Sequence, residues 1–473
     1  MTAFDIKDHF TILNPRVVHG MEPSILKQTP IFRCLSGLGK RMYLPQGIFY
    51  WAQLAKKAVS DDPANAINAT IGDATGTELN EYLDIPRDRR ITFFLKNITE
   101  YLSPDIDAST ISSYAPITGL PELRSKWKDW IIEKGDLEGK QDVITLPVVN
   151  SGVTNGIFNA LRLFLNPGES ILLPDKYWEN YDTIINLNIG ASIATFPSFK
   201  DGEFNTSGMV EKIEELARKQ GKVIILVNFP NNPTGYIPTK NKMAEISSAI
   251  VNAAQKLEKP VVVLVDDAYE NFTYDPAADS KSIFSYLLDL DPLVFPIKLD
   301  GVSKEFLFYG GRVGFITFGL SRAWDVDLKK VEEELIGKIS GCIRGTISNS
   351  SHISQKLVLK LMENMALSME NRQKVIDVLA DRYRDFKERA KALERPEDGI
   401  YFDPYQGGFF AFLNLPELLP AEKVARRLLE NKAVGVIPSQ KPEIGVNGIR
   451  IAYCSMTIPE IDEALTRIAE VIG

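Results

Sequence analysis

Residues 259–272 read KPVVVLVDDAYENF: five apolar residues, mostly β-branched, are followed directly by two aspartates. Such a run is typical of a strand that is buried on both faces, and KVIILVN at 222–228 has the same character. Segments with helical spacing, such as KMAEISSAIVNAAQKLE at 242–258, separate these runs. From about residue 140 to 320 this alternation predicts an α/β fold, with a mostly parallel sheet covered by helices on both faces.

The chain changes character beyond about residue 365. The segment NRQKVIDVLADRYRDFKERAKALERP at 371–396 has helical spacing throughout and predicts a long connecting helix. Strand-like GGFFAFLNL at 407–415 and IRIAYC at 449–454 follow, with helical segments between and after them. We therefore predict a second, smaller domain of the α+β class.

The amino-acid composition argues against several classes of binding partner. The 473 residues carry 54 basic and 62 acidic side chains, with no block of like charge, which argues against nucleic acid or an anionic membrane. Three cysteines and three histidines, all scattered, favour neither a disulfide framework nor a metal site. The first residues lack a basic start with an apolar core, and no run approaches the ~20 apolar residues of a membrane span. We expect a cytoplasmic protein.

The residues that follow the predicted strands are the candidates for chemistry, because ligands of open α/β sheets lie beyond the carboxyl ends of the strands. Asp266 ends a buried strand, where a carboxylate is costly unless it meets a cation or a donor. Asn232 lies in the turn NFPNNPTG at 228–235. Thr154 lies in NSGVTNGIF at 150–158, a glycine-containing turn at a helix start that favours an anion.

A fourth candidate is Lys304 in LDGVSKEFLFYGGRVGF at 299–315, where Arg312 follows eight positions later. Taken singly, these features have ordinary interpretations as turns or as a solvated lysine. Together they favour function, because a carboxylate and an amine are then aimed at one edge of the sheet. A partly desolvated lysine near other cations can act as nucleophile and base.

The order of four separated motifs resembles the class I aminotransferases, the pyridoxal-phosphate enzymes related to aspartate aminotransferase. The motifs are NNPTG at 231–235, DDAY at 266–269, SK at 303–304 with Arg312 and Gly314 beyond it, and IRIAY at 449–453. The resemblance implies fold type I, with a seven-stranded large domain and a small domain formed by both termini. It also implies a homodimer whose active sites lie at the subunit interface. The implied bounds are 1–84 for an arm and part of the small domain, 85–365 for the large domain and 366–473 for the rest.

The resemblance also implies roles for individual residues. Lys304, Asp266 and Tyr269 would be catalytic: Lys304 as the Schiff-base lysine, Asp266 as the partner of the protonated ring nitrogen, and Tyr269 as a donor to the ring 3-oxygen. The other implied contacts to pyridoxal 5'-phosphate are Asn232 at the ring 3-oxygen, Trp178 stacked on the ring, Val153, Thr154, Asn155 and Arg312 at the phosphate, and Tyr114 reaching the phosphate of the other subunit.

Three residues are implied in substrate binding. Arg450 in IRIAY matches the arginine that binds the α-carboxylate, a contact suited to a planar guanidinium. Gly72 in ATIGDATG at 69–76 matches a small-domain glycine close to that carboxylate. Arg344 in CIRGTISNS at 342–350 resembles an arginine that crosses the dimer interface to bind a substrate's distal carboxylate. The alternative for Arg344 is an interface ion pair.

Two positions depart from the family pattern. Gly301 stands where the family usually has a serine three positions before the lysine, and Ser303 is next to the lysine instead. Gly152 stands where aspartate aminotransferases commonly have another serine. Phosphate binding would then depend on Thr154, Arg312, Tyr114 and backbone amides.

The expected reaction moves an amino group from an L-amino acid, such as aspartate, glutamate or an aromatic one, to a 2-oxo acid such as 2-oxoglutarate. Ping-pong kinetics follow from the shared site. One alternative is a lyase or an aspartate β-decarboxylase on the same fold. Another is a non-enzymatic regulator domain, which would need a basic DNA-binding module that residues 1–60 do not show.

Overall fold

The computed structural model describes residues 48–63, 65–70, 72, 74–97 and 111–473. Most of the predicted N-terminal arm therefore lies outside the described residues. The strands, in chain order, are β1 (Ile67–Asn68), β2 (Thr75–Gly76), β3 (Ile91–Thr92), β4 (Val148–Asn150), β5 (Ser170–Pro174), β6 (Ser192–Phe196), β7 (Phe199–Lys200), β8 (Glu203–Phe204), β9 (Val223–Asn228), β10 (Val261–Asp266), β11 (Val294–Gly301), β12 (Gly314–Phe318), β13 (Tyr401–Phe402), β14 (Ala411–Asn414), β15 (Val434–Gly435), β16 (Ile437–Lys441) and β17 (Val446–Ile451).

The helices are, likewise, α1 (Ile48–Asp61), α2 (Pro121–Gly135), α3 (Val153–Phe164), α4 (Asn180–Asp182), α5 (Thr206–Gln220), α6 (Lys240–Leu257), α7 (Ile283–Leu287), α8 (Val302–Glu305), α9 (Leu328–Arg344), α10 (His352–Glu363), α11 (Met365–Ala390), α12 (Ala421–Lys432) and α13 (Ile458–Ile472). A π-helical segment, Thr183–Ile189, continues α4. Within the described ranges, no helix is long and apolar enough to cross a membrane.

The central sheet has seven strands in the order β4-β12-β11-β10-β9-β5-β6. Only β12 is antiparallel to its neighbours, and the remaining pairs are parallel. Every residue of β9 and β10 is buried, as expected of strands with helices on both faces. The predicted α/β class and the mostly parallel seven-stranded sheet are confirmed.

A second sheet is antiparallel and has the strand order β13-β14-β17-β16. It packs with α12 and α13 around a separate apolar core, to which the N-terminal side of the chain contributes Ile67 and Ala69. The short strand β1 pairs with β15, so both ends of the described chain meet here. This arrangement supports a small domain built from both termini; its bounds near 84 and 365 stay a prediction.

Helix α11 joins the two cores, as the sequence predicts for a connecting helix. Val375 and Leu379 in its first half pack into the core of the large sheet. Phe386 and Ala390 in its second half pack into the other core. Asn364 caps its start by accepting a hydrogen bond from the Leu367 amide at 3.4 Å.

Candidate active site

A carboxylate and an amine stand at the ends of adjacent parallel strands. Asp266 is the last residue of β10, and Lys304 lies in the short helix α8 that directly follows β11. The Lys304 Nζ is 5.5 Å from the ring centroid of Tyr269 and 4.8 Å from that of Tyr309. The structure therefore brings together the three predicted catalytic residues at one edge of the sheet, with Tyr309 as a neighbour that the sequence did not reveal.

The Asp266 carboxylate is buried and held by two donors. Its Oδ2 accepts a hydrogen bond from the Tyr181 hydroxyl at 2.5 Å, and its Oδ1 accepts from the Ala268 amide at 3.1 Å. Burial raises the pKa of Asp266 to about 6, against the opposing effects of these donors and of the Lys304 charge. A buried carboxylate with this pKa is suited to face a further cation. Tyr181 was missed from the sequence, although it lies three positions after Trp178 in DKYWENY.

A cationic cradle, formed by Arg312 and the first backbone amides of α3, lies at the start of that helix. Gly152 precedes this helix with φ +81°, and a Cβ there would collide with the Arg312 guanidinium. Arg312 donates from Nη1 to Ser303 Oγ at 3.3 Å and to the Tyr309 carbonyl at 3.1 Å. In the part of the chain that the structure describes, Arg312 makes no ion pair. A guanidinium beside the free amides of a 12-residue helix start is a site for an anion such as phosphate.

The structure gives a physical reason for both departures from the family pattern. A Cβ on Gly301 would lie 2.8 Å from the Val313 carbonyl oxygen and 2.9 Å from Gly314 Cα, so the neighbouring strand leaves no room for a side chain. At Gly152 the Arg312 guanidinium occupies that space. Ser303 Oγ accepts a hydrogen bond from Arg312 Nη1 at 3.3 Å, so a hydroxyl does lie beside this guanidinium.

Arg450 on β17 is buried and only partly satisfied. It donates from Nη1 to Asn232 Oδ1 at 3.0 Å and from Nη2 to the Thr70 carbonyl at 2.9 Å. Its Cζ lies 4.1 Å from the ring centroid of Phe410, and its buried Nε has no hydrogen-bond partner within the described residues. Burial lowers the pKa of Arg450, opposed by the charges of Tyr269 and Glu179, but a guanidinium stays protonated. A buried guanidinium with an unpaired N–H donor suits a carboxylate ligand.

Asn232 and Gly72 complete this side of the site. Because Asn232 Oδ1 accepts from Arg450, its Nδ2 group is left to donate, and the described residues offer that group no acceptor. Gly72 lies against the Phe410 ring: a Cβ there would be 2.9 Å from Phe410 Cζ and 3.8 Å from the Tyr269 hydroxyl. Predicted cofactor and substrate contacts thus lie side by side.

A small, open pocket lies between the large sheet and the second sheet. Its lining is Tyr177, Trp178, Glu179, Asn232, Pro233, Ile437, Ser439 and Arg450. Trp178, Asn232 and Arg450 were predicted from the sequence. Glu179 was missed, because a glutamate in a polar loop carries no pattern that separates it from a solvated side chain.

Tyr114 and Arg344 lie away from these residues. The Tyr114 side chain is 88% exposed, and Arg344 is exposed at the end of α9, where it donates to Ser348 Oγ. The segments that carry them are neighbours: Asn349 Nδ2 donates to the Ala115 carbonyl at 3.1 Å, and His352 Nδ1 lies 3.0 Å from the Ser113 carbonyl. Both residues therefore belong to one side of the chain's surface.

The donor set fits pyridoxal phosphate: an amine for an aldehyde, a buried carboxylate for a ring nitrogen, a free amide donor for a ring oxygen and a cationic helix start for a phosphate. Fold and site together are those of a fold type I pyridoxal-phosphate enzyme. The family model for aminotransferase class I and II matches residues 79–468. The chain belongs to this family, and the prediction that it is a transaminase is confirmed.

Relatives of known name support the same assignment. The chain is 25% identical to an aspartate aminotransferase of Sulfurisphaera tokodaii, over 76% of this chain and 82% of the relative. It is 24% identical to aromatic-amino-acid aminotransferase 2 of Thermococcus litoralis, over 80% of this chain and 88% of the relative. At this level of identity the names differ among relatives, so they establish no particular substrate.

Solved structures share the fold. An aminotransferase of Anaerococcus prevotii has a TM-score of 0.77 and 24% identity, covering 93% of this chain and 99% of its own. A kynurenine aminotransferase of Pyrococcus horikoshii, solved with PMP, has a TM-score of 0.74 and 17% identity, covering 94% and 98%. The predicted fold type I architecture is confirmed.

Proposed function

We propose that the chain binds pyridoxal 5'-phosphate with its aldehyde at Lys304, its ring nitrogen at Asp266 and its phosphate at Arg312. With it the enzyme moves an amino group between an L-amino acid and a 2-oxo acid by a ping-pong mechanism. The observation that carries this proposal is the placement of Asp266 and Lys304 at the ends of adjacent parallel strands, beside a helix start that carries a cation.

Each group has a chemical task in this proposal. When bound, the cofactor supplies an electron sink for the pair left at the substrate Cα after its proton is removed. The Lys304 amine takes that proton and returns it as general base and acid. Asp266 stays ionised opposite the protonated ring nitrogen, and Tyr181 holds its carboxylate in place. Tyr269 and Asn232 donate to the ring oxygen.

The phosphate would be held by Arg312, Thr154 and the amides of Val153 and Asn155 at the start of α3, while Trp178 covers the ring. Arg450 would bind the substrate α-carboxylate, since its buried Nε has a donor to spare. Gly72, which packs against the Phe410 ring, would lie close to that carboxylate. These assignments follow the family resemblance and agree with the arrangement of the donors.

We also propose a homodimer with shared active sites, located in the cytoplasm. An aromatic side chain as exposed as Tyr114 is unusual on a free surface, and its segment adjoins the one after Arg344. A second copy of the chain would cover this surface and bring Tyr114 to a phosphate and Arg344 to a substrate. Sedimentation tests whether the chain forms a dimer. A mixed dimer of one Lys304→Ala chain and one Tyr114→Phe chain tests whether Tyr114 of one chain serves the active site of the other.

The cofactor proposal is tested by borohydride reduction of the enzyme after pyridoxal phosphate is added, followed by peptide mass mapping. The expected result is a reduced adduct on Lys304 and a visible absorbance band that an amino donor bleaches. Lys298, buried and paired with Glu270 at 2.8 Å, is the internal control and should carry no adduct. A protein that pyridoxal phosphate does not colour, or an adduct elsewhere, would contradict the proposal.

The reaction itself separates transamination from the alternative of a β-decarboxylase. Incubation with aspartate and 2-oxoglutarate is expected to give oxaloacetate and glutamate if aspartate is a donor. Release of carbon dioxide with alanine would point to decarboxylation instead. A wider donor panel with pyruvate or 2-oxoglutarate as acceptor identifies the donor class.

A further inference from the structure

One carboxylate in the candidate active site has no task in the reaction just described. Glu179 lies at the end of the loop after β5 and lines the pocket together with Trp178 and Arg450. The side chain is only partly buried, and it contributes to the lining of the pocket. In the part of the chain that the structure describes, its carboxylate accepts no hydrogen bond and makes no ion pair.

The nearby cations do not neutralise Glu179 by contact. Lys441 lies close by, but its Nζ pairs with Asp182 Oδ2 at 2.8 Å and stands 3.7 Å above the ring of Tyr177. Arg450 binds Asn232 and the Thr70 carbonyl, and it is the proposed partner of the substrate α-carboxylate. Once that carboxylate is bound, the charge on Arg450 is balanced and the charge on Glu179 is not.

The other pocket residues show what part of a substrate Glu179 meets. Trp178 and Asn232 are assigned to the cofactor, and Arg450 is assigned to the α-carboxylate. The walls left for a substrate side chain are the apolar surfaces of Tyr177, Pro233 and Ile437 together with the polar groups of Glu179 and Ser439. Apolar walls with a carboxylate suit an alkyl stem that ends in a cation.

We propose that Glu179 selects an amino donor whose side chain ends in a positively charged group, such as lysine or ornithine, and rejects dicarboxylic donors. This proposal rests on the proposed function, because it assumes that Arg450 binds the α-carboxylate. A cationic side chain satisfies Glu179 with a charge-assisted hydrogen bond, whereas a second carboxylate places two like charges in a partly desolvated pocket.

Burial raises the pKa of Glu179, and the charges of Lys441 and Arg450 oppose that shift. A cation in the pocket would add to their effect and keep the carboxylate ionised. A distal carboxylate would act in the opposite direction and favour the protonated form of Glu179. The charge of the donor's side chain alone therefore distinguishes cationic donors from dicarboxylic donors at Glu179.

The test compares pairs of donors that differ only in the terminal ammonium: lysine with norleucine, and ornithine with norvaline. The holoenzyme is mixed with each donor without an acceptor, and the rate of bleaching of the visible band is followed. For the natural enzyme, the second-order rate constant should be higher for the cationic member of at least one pair, by about tenfold to a hundredfold, the effect of one charge-assisted hydrogen bond. Glutamate and aspartate should be poorer than that member.

Glu179→Gln removes the charge with little change in shape, and it should bring the ratio of cationic to neutral donor close to one. Glu179→Arg should reverse the preference toward glutamate. Glu422→Gln is the matched control: Glu422 is exposed, does not line the pocket, and contributes to the electrostatics of Glu179 only at a distance. That variant should keep the natural ratio.

A second readout does not depend on turnover. Titration calorimetry of the holoenzyme with 2-methyl-lysine and 2-methyl-norleucine, which lack the Cα proton, should show the same preference and its loss in Glu179→Gln. The inference is overturned if glutamate or aspartate is the preferred donor of the natural enzyme, or if Glu179→Gln keeps the natural ratio. Failure of the proposed function looks different, since no donor would then bleach the band.

Discussion

The Tyr181 hydroxyl donates a 2.5 Å hydrogen bond to Oδ2 of Asp266, although β9 lies between β5, which precedes Tyr181 in the chain, and β10, which ends at Asp266. Tyr181 lies in the short helix α4 that follows β5, and Asp266 ends β10. Since a donated hydrogen bond stabilises an ionised carboxylate, Tyr181 opposes the effect of burial, and the pKa of Asp266 is about 6 with both effects present. Tyr181 is therefore a positioning residue that keeps Asp266 charged.

Tyr181→Phe should move the acid limb of the pH profile of kcat/KM to higher pH. Loss of the hydroxyl removes a contribution that lowers the pKa of Asp266, so this carboxylate stays protonated to a higher pH. One hydrogen bond to a charged group corresponds to about one pH unit, and kcat/KM on the acid side should fall about tenfold. The measurement is kcat/KM between about pH 5 and 9, where the limb can be followed.

The control is Tyr286→Phe, because the Tyr286 hydroxyl also donates to a carboxylate, that of Asp279, and is not among the donors that hold Asp266. Its pH profile should match that of the natural enzyme. An acid limb that stays in place in Tyr181→Phe would show that Asp266 does not depend on this hydroxyl for its charge.

A buried ionic cluster lies directly behind the site. It consists of Lys134, Asp267, Glu270, Lys298, Asp300 and Glu305. Two of these residues, Asp267 and Glu305, immediately follow Asp266 and Lys304 in the chain. Burial raises the pKa of Asp267 against the opposing charge of Lys298. Burial also opposes the ionisation of Glu270, but the charges of Lys134 and Lys298 lower its pKa overall.

Lys298→Met should reduce the free energy of unfolding by about 3–5 kcal/mol at pH 8, because it leaves the buried Asp267 without its cation, while Glu270 keeps its ion pair with Lys134 at 2.7 Å. Part of this loss should be recovered as the pH falls. Without Lys298 the native pKa of Asp267 rises further above its unfolded value, so the native state takes up a proton that the unfolded state does not, and stability increases toward low pH. Urea unfolding between about pH 5.5 and 8.5 measures the effect.

The double variant Lys298→Met with Asp267→Asn is the control for charge. It removes the uncompensated carboxylate, so it should be more stable than Lys298→Met at pH 8 and should lose most of the pH dependence. Equal stability of Lys298→Met and the natural protein at pH 8 would mean that the cluster is solvated well enough to tolerate an unpaired charge.

The sequence predicted the fold, and it indicated candidate site residues at or just after the ends of strands; the physical reason is local. A run such as VVVLV must be buried on both faces, and the residue that ends it must emerge at the ligand edge of a parallel sheet. Asp266 and Lys304 follow from that reasoning. Asn232 and Arg450 follow from motif order, and the structure places them in contact at 3.0 Å.

Other features could not be predicted from the sequence, because they depend on contacts between distant parts of the chain. Tyr181 contacts Asp266 although β9 lies between β5 and β10, and Glu179 acquires its setting only when β16 closes the pocket. The reason for glycine at 301 is the approach of Val313, which no sequence pattern encodes. The proposed role of Tyr114 also requires a second copy of the chain, because the phosphate that it would contact is bound by that copy.

Gly152→Ala should weaken the binding of pyridoxal phosphate by about tenfold to a hundredfold, the effect of losing a charge-assisted contact to the phosphate. A Cβ at this position collides with the Arg312 guanidinium, which must then leave the start of α3. The left-handed backbone at φ +81° adds a stability cost of about 1–2 kcal/mol. Equilibrium dialysis against pyridoxal phosphate measures the affinity, and pyridoxal, which lacks the phosphate, should bind both proteins equally.

Gly168→Ala separates backbone strain from the collision. Gly168 has φ +83°, but a Cβ there meets no atom within 4 Å, so its substitution should lower stability without changing the affinity for pyridoxal phosphate. If Gly152→Ala and Gly168→Ala bind pyridoxal phosphate equally well, Arg312 is not the group that holds the phosphate. If Gly152→Ala also loses affinity for pyridoxal, the substitution disturbs the ring site and not the cradle alone.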